Sequence, residues 1–131
     1  MTIAFQPKIQ SVLICDFTGY VVPEMVKRRP VVVIARSRTN KKLVTVVPMS
    51  TTKPVPQLDV HHQLSVNPIP KNATVPVWAK CDMVATLSID WLDRYHTRER
   101  GNPKRVYHEL IVPDVDFEAL REAVRRALHL K

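Results

Sequence analysis

Lys27, Arg28 and Arg29 stand at the entrance of the apolar run Pro30–Ile34, and Ser50, Thr51 and Thr52 stand at the exit of a second apolar run, Leu43–Met49. A guanidinium grips phosphate bidentately and stays charged at any working pH. A hydroxyl donates to a phosphate oxygen without adding charge. If the two runs pair as a hairpin, the cations and the hydroxyls meet at one end of a small sheet. That constellation binds a phosphodiester and, with a proton acceptor beside it, can cut one. Lys80 and Asp82 form a second pair of interest. Alternate residues of a strand share a face, and a neighbouring cation keeps a carboxylate ionised and able to accept a proton. His61 and His62 are adjacent and so face opposite sides of a strand. Either is an acid–base candidate, because histidine titrates near neutrality; more often such a residue is a satisfied surface or barrel histidine. Trp78 and Tyr20 are candidates for stacking on splayed bases, with core packing the competing role of Trp78.

These residues need strands to position them. Ile9–Phe17 reads as a first strand, and Thr18–Arg29 as a loop holding Gly19 and Pro23. Pro30–Arg36 is the most apolar segment and reads as a central strand covered on both faces, with Pro30 where a missing donor does least harm. Ser37–Lys42 is a polar turn, Leu43–Met49 the next strand, and Thr51–Gln57 a loop because of Pro54 and Pro56. Apolar and polar residues alternate from Leu58 to Val66, which predicts a half-buried strand. Val75–Cys81 and Met83–Leu87 read as one long strand, or two broken near Asp82. A turn and short helix follow at Ser88–Leu92, then a charged loop, Arg94–Arg105, and a last strand within Val106–Val112. Asp114–Leu130 is a helix: Asp114 or Asp116 can cap it, acids precede bases along it, and Phe117, Leu120, Val124, Ala127 and Leu128 share one face. Many short strands and one terminal helix predict a mainly β (α+β) chain, folded as a small, strongly bent barrel.

The 131 residues are expected to form a single domain, 1–131. An apolar content of 45% belongs to a globular chain. The net charge of +8 and pI near 9.9 favour a polyanionic partner: nucleic acid, an acidic protein or a membrane surface. Cys15 and Cys81 fit neither a zinc motif nor a redox pair, and read as buried free thiols in a reducing cytoplasm. No signal peptide or membrane-length apolar run is visible, so no membrane role is expected. Gly19 and Gly101 are the only glycines, which disfavours a phosphate-cradling loop, and acids do not cluster as a two-metal site requires. No metal and no cofactor is therefore expected.

Three blocks together carry a family resemblance: Arg29-Pro-Val-Val-Val-Ile, then Val47-Pro-Met-Ser-Thr-Thr, then Lys80-Cys-Asp-Met-Val-Ala-Thr-Leu-Ser-Ile-Asp. In this order and spacing the chain resembles the MazF/PemK growth-inhibiting toxins. The resemblance implies an SH3-like barrel with a C-terminal helix, usually a homodimer. It implies a ribosome-independent endoribonuclease that cuts single-stranded RNA without metal, through 2′-OH attack, and that an acidic antitoxin silences. It assigns catalysis to Arg29, Ser50, Lys80 and Asp82. Asp82 would be general base and Lys80 general acid at a position where one branch carries Arg. Substrate contacts would come from Glu24, Lys27, Arg28, Thr51, Thr52, His61 and Trp78. Three positions depart from the family pattern. Ser50 stands where Thr is usual, Pro23 where one branch has His, and Gln10 and Ser11 where Gly usually opens the first strand. The competing functions are a non-catalytic nucleic-acid- or protein-binding module on the same barrel, and a gyrase-poisoning toxin by analogy of fold.

Overall fold

The computed structural model describes residues 3–19, 28–98, 100–101 and 103–130. Its strands are β1 (Ser11–Asp16), β2 (Arg28–Arg36), β3 (Leu43–Ser50), β4 (His61–Gln63), β5 (Trp78–Lys80), β6 (Ala85–Ser88), β7 (Leu92–Asp93), β8 (His96–Arg98), β9 (Arg105–Tyr107) and β10 (Leu110–Ile111), and α1 spans Asp114–Ala127. The main sheet runs β10-β1-β2-β3-β5-β4, with β6 also paired to β3 and β7 to β1, while β8 and β9 form a separate ribbon. The chain is mainly β with one C-terminal helix, as the sequence predicts. The sheet bends but does not close: β10 and β4 remain its ends. Helix α1 follows β10 and is tied to β4 by the hydrogen bond between Asp116 and His62.

Strand β2 is central because both of its faces are apolar. Val32 joins one core with Val12, Val47, Met49, Phe117, Leu120 and Val124. Val31 and Val33 join the other with Leu13, Cys15, Val44, Val46 and Leu92. The helix thus covers one side of the sheet, and Ile3, Phe17 and the Leu87–Leu92 region cover the other. Both thiols are buried, and burial pushes each up to about 12, helped by the neighbouring Asp16 and Asp82 charges. They are inert at neutral pH.

Several boundaries differ from the sequence reading. The alternating stretch from Leu58 to Val66 yields only the short strand His61–Gln63. Leu58 and Val66, at its two ends, remain exposed. The segment read as one strand or two divides into β5 and β6, with a turn in which Met83 N–H donates to the Lys80 carbonyl. The charged loop after Arg94 contains β8, which pairs with β9 across a tip where Gly101 takes φ +80°. Helix α1 stops at Ala127, short of the expected Leu130. His129 adopts φ +57°, Leu130 N–H donates to the Arg125 carbonyl and His129 N–H to the Arg126 carbonyl. This is a Schellman ending with histidine in the place glycine usually takes. Gln10 likewise sits at φ +76°, where the resemblance led one to expect Gly. Its backbone joins Val33 to Val112, and its side-chain amide donates to the Val112 carbonyl and to Asp114, which holds it in the left-handed conformation.

Asp116 is not an exposed cap. It is 3% exposed, receives the Ser65 N–H and hydroxyl at 2.9 and 2.6 Å, and lies 3.0 Å from His62 Nε2. Burial pushes its pKa up, but the bonds from Ser65 and His62 outweigh that and hold the carboxylate below its ordinary range. A carboxylate whose native pKa is depressed adds stability above its unfolded pKa and loses it as pH falls through the native value. Asp116→Asn should therefore cost about 1.5–3 kcal/mol at neutral pH. Its deficit against the parent should shrink once pH falls below the ordinary carboxylate range. Urea unfolding at about pH 7 and about pH 3 checks both halves of this expectation.

Candidate active site

Arg29 is a residue of β2, since the strand begins at Arg28, two positions before Pro30. The β2–β3 register pairs Val31 with Pro48 and Val32 with Val47. Continued by two residues, it brings Arg29 opposite Ser50, the last residue of β3. The hairpin inferred from the sequence therefore forms, and it carries the cation and the hydroxyl to the same end. Both line one cavity of about 280 Å³, together with Thr51, Asn67, Asn72 and Tyr95. Ile14, Pro30, Met49, Ile69 and Val77 form its apolar wall.

The polar groups in this cavity are poised toward an acceptor. Arg29 Nε is buried and has no hydrogen-bond partner among the described residues. An unbonded buried donor is costly, and an anion entering the cavity would satisfy it. Ser50 is 3% exposed, and its Oγ accepts the Thr52 N–H at 3.1 Å. That bond uses a lone pair and leaves the hydroxyl proton free to donate. Asn67 is committed elsewhere: its amide donates to the Val75 carbonyl and its oxygen accepts from Ile69 N–H, so it braces the wall.

Lys80 and Asp82 are not among the residues lining that cavity. Strand β5 pairs Trp78 with Ser50, and β4 pairs Gln63 with Trp78 and His61 with Lys80. Directly paired and alternate residues share a face, so Ser50, Trp78, Lys80 and His61 belong to one side of the sheet. Asp82 follows the end of β5, so its position is set by the turn and not by strand alternation. It lies 3.7 Å from His61 Nε2. His61 Nδ1 accepts the Leu58 N–H, so the neutral ring carries its proton on Nε2, toward Asp82. His62 faces the other way, to Asp116. The two histidines are thereby separated: one stands with the Lys80–Asp82 group, the other fastens the helix.

The remaining candidates fall in distinct places. Thr51 is exposed at the cavity, and Thr52 is exposed and donates to Ser50. Arg28 is exposed, opposite Asp16. Trp78 pairs with Ser50 and is 7% exposed, with its ring nitrogen unbonded among the described residues, so it offers no open ring face to a base. Glu24 and Lys27, with Tyr20 and Pro23, lie outside the described residues. Asn67, Asn72 and Tyr95 were not singled out from the sequence. They come from loops and the short 3-10 turn Pro70–Asn72, whose approach to the cavity has no local signature.

The chain matches the family model of the PemK-like, MazF-like toxins of type II toxin–antitoxin systems over residues 8–128. It is similar to the uncharacterized protein YifN of Escherichia coli (strain K12), with 31% identity over 132 residues, 85% of this chain and 88% of that protein. Among solved structures, MazF from Deinococcus radiodurans is similar in fold, with a TM-score of 0.68 at 16% identity, covering 96% of this chain and 99% of that one. Toxin MazF-mt6 of Mycobacterium tuberculosis gives 0.59 at 22% identity, covering 92% and 98%. A mycobacterial endoribonuclease solved with its cognate antitoxin gives 0.62 at 17% identity, covering 95% and 97%.

Proposed function

This chain belongs to the PemK-like, MazF-like toxin family of type II toxin–antitoxin systems, and from that premise we propose that it is a metal-independent endoribonuclease acting on single-stranded RNA. The observation that carries the reading is the meeting of Arg29 and Ser50 in one cavity, with Arg29 Nε unbonded. In the proposed reaction the ribose 2′-oxygen attacks the adjacent phosphorus. The P–O2′ bond forms, the P–O5′ bond breaks, and the products are a 2′,3′-cyclic phosphate and a 5′-hydroxyl. Arg29 and Ser50 stabilise the charge that builds on the non-bridging oxygens. Asp82 accepts the 2′-OH proton and Lys80 supplies one to the departing O5′. His61 Nε2–H, facing Asp82, orients that carboxylate.

What supports a route without metal is the donor set. The cavity holds a cation, hydroxyls and amides, and among the described residues no three His, Cys, Asp or Glu converge. The basic net charge of +8 supports a polyanionic substrate and an acidic antitoxin that covers the same charge, disordered until bound. A homodimer working in the cytoplasm completes the proposal; among the described residues no helix is long and apolar enough to cross a membrane.

The deciding experiment is incubation of the purified protein with a mixed-sequence RNA, with and without EDTA, followed by end-group analysis. Equal cleavage in both, leaving 5′-hydroxyl ends, is expected. Binding without any cleavage would favour the non-catalytic module on the same fold. Ser50 supplies a graded check within this test. Ser50→Ala should slow cleavage on the order of 10²-fold, the usual cost of one transition-state donor. Ser50→Thr should retain most of the rate, because it keeps the hydroxyl. Single-turnover rates on one oligonucleotide make the comparison.

A further inference from the structure

The β8–β9 ribbon is unexplained by the site above. Its register pairs His96 with Tyr107, Thr97 with Val106 and Arg98 with Arg105. The pleat therefore divides the ribbon into two unlike faces. The inner face has Tyr95, which lines the Arg29–Ser50 cavity, and Thr97, which bonds His108 at 2.8 Å. The outer face carries His96, Arg98, Arg105 and Tyr107, with the Arg94 guanidinium 4.2 Å above the Tyr107 ring. His96 meets Tyr107 edge-on at 5.8 Å. Five of the chain's 20 Lys and Arg fall within 94–105, so this short segment is a local concentration of charge. Arg98 and Arg105 are exposed, and among the described residues no carboxylate lies within ion-pair distance of either.

A second cavity, of about 410 Å³, opens beside the ribbon. Arg94 lines it together with Lys8, Arg36 and the half-exposed Phe5, and Glu109 is its carboxylate. Like charges held side by side repel, and two paired arginines on an exposed ribbon are a cost to folding unless an anion meets them. Arginine stacked on tyrosine is a surface that accepts a base and a phosphate together.

We propose that the outer face of β8–β9, with the Arg94–Lys8–Arg36 groove, is a second contact for single-stranded RNA. It holds the stretch of strand that continues beyond the Arg29–Ser50 cavity, since Tyr95 lines that cavity and Arg94, the residue before it, lines the groove. The charge selects a polyanion, and the continuity through Tyr95 with the proposed cleavage site selects RNA over an acidic peptide. The identity of the ligand as RNA rests on the ribonuclease reading; the existence of an anion-binding ribbon does not.

The test uses the full-length protein and a fluorescent, fully 2′-O-methyl RNA, which cannot be cut by 2′-OH attack. Two lengths are compared, about 20 and about five nucleotides, long enough and too short to reach both contacts. The double variant Arg98→Ala, Arg105→Ala should weaken the long probe on the order of tenfold. It should flatten the log–log salt slope by about 1.4, from two lost single-strand phosphate contacts. The short probe should bind as before. Arg98→Lys with Arg105→Lys keeps the charge and should keep the slope, which separates lost contacts from lost fold. Unchanged affinity for the long probe, equal loss on both probes, or a change of oligomeric state in size-exclusion chromatography would overturn the proposal. Loss of binding to a polyglutamate peptide with RNA affinity intact would also overturn it, and would assign the ribbon to a protein partner. A parent protein that cuts no RNA yet shows the ribbon-dependent slope would sink the ribonuclease reading and leave the ribbon standing. Cleavage without that slope does the reverse.

Discussion

Replacing Arg29 with alanine slows cleavage by roughly two to three orders of magnitude while the fold stays in place. Arg29 occupies a strand opposite the Ser50 end of β3, faces a cavity of about 280 Å³ with it, and holds a buried Nε without a partner among the described residues. A donor in that state gains its hydrogen bond when substrate arrives, and gains most when the phosphorane carries its extra charge. Its removal should cost roughly 10²–10³ in rate. Stability should change by about 1 kcal/mol, from the packing of the aliphatic stem, because no native hydrogen bond of Nε is lost. Arg29→Lys should also be slow, since an ammonium cannot reproduce the planar fork. Single-turnover cleavage beside thermal unfolding separates the two effects. An Arg29→Ala protein that cuts at the parent rate would remove Arg29 from the chemistry.

An RNA with 2′-deoxyribose at the cut site binds but is not cut. The proposed nucleophile is the 2′-oxygen of the substrate, so deleting that atom removes the reaction and leaves phosphates and bases for Arg29, Thr51 and the ribbon to hold. The loss is complete by mechanism, whereas loss of any one side chain is partial. The parent substrate and the deoxy analogue should compete with similar inhibition constants. Efficient cutting of the analogue would mean that water is the nucleophile and that Asp82 and Lys80 have other work. Because this prediction bears on the bond that forms, it is independent of the assignment of any single residue.

The strand pair that carries the site was legible because its signals are local and mutually consistent. Two β-branched runs separated by a polar turn can bury themselves only by pairing, and their pairing puts Arg29 and Ser50 at the same end. The helix was legible from its 3.6-residue period and its charge gradient. Its last turn was not, because the left-handed ending is set at His129, a residue that carries no glycine-like signal. Leu58–Val66 misled for a related reason: alternation reports which residues would be buried if a neighbour covered them, and among the described residues Leu58 and Val66 stay exposed. Of the β8–β9 ribbon, β9 overlaps the strand expected within Val106–Val112, whereas β8 was hidden because it is three residues long in a charged segment that reads as loop.

By itself, the sequence determined a mainly β chain with a terminal helix, a basic surface, the family and the hairpin bearing Arg29 and Ser50. All of these follow from periodicity, composition or ordered motifs, which are properties of neighbours along the chain. Tertiary structure alone decided what lies across the chain. It turned His62 to Asp116 and His61 to Asp82, although the two histidines are adjacent. It brought Asn67, Asn72 and Tyr95 to the cavity wall, and buried Trp78. It also left the sheet open under a helix rather than closed as a barrel. These outcomes depend on which loop packs against which strand. The sum of many weak, long-range contacts sets that choice, and no local run of residues encodes it.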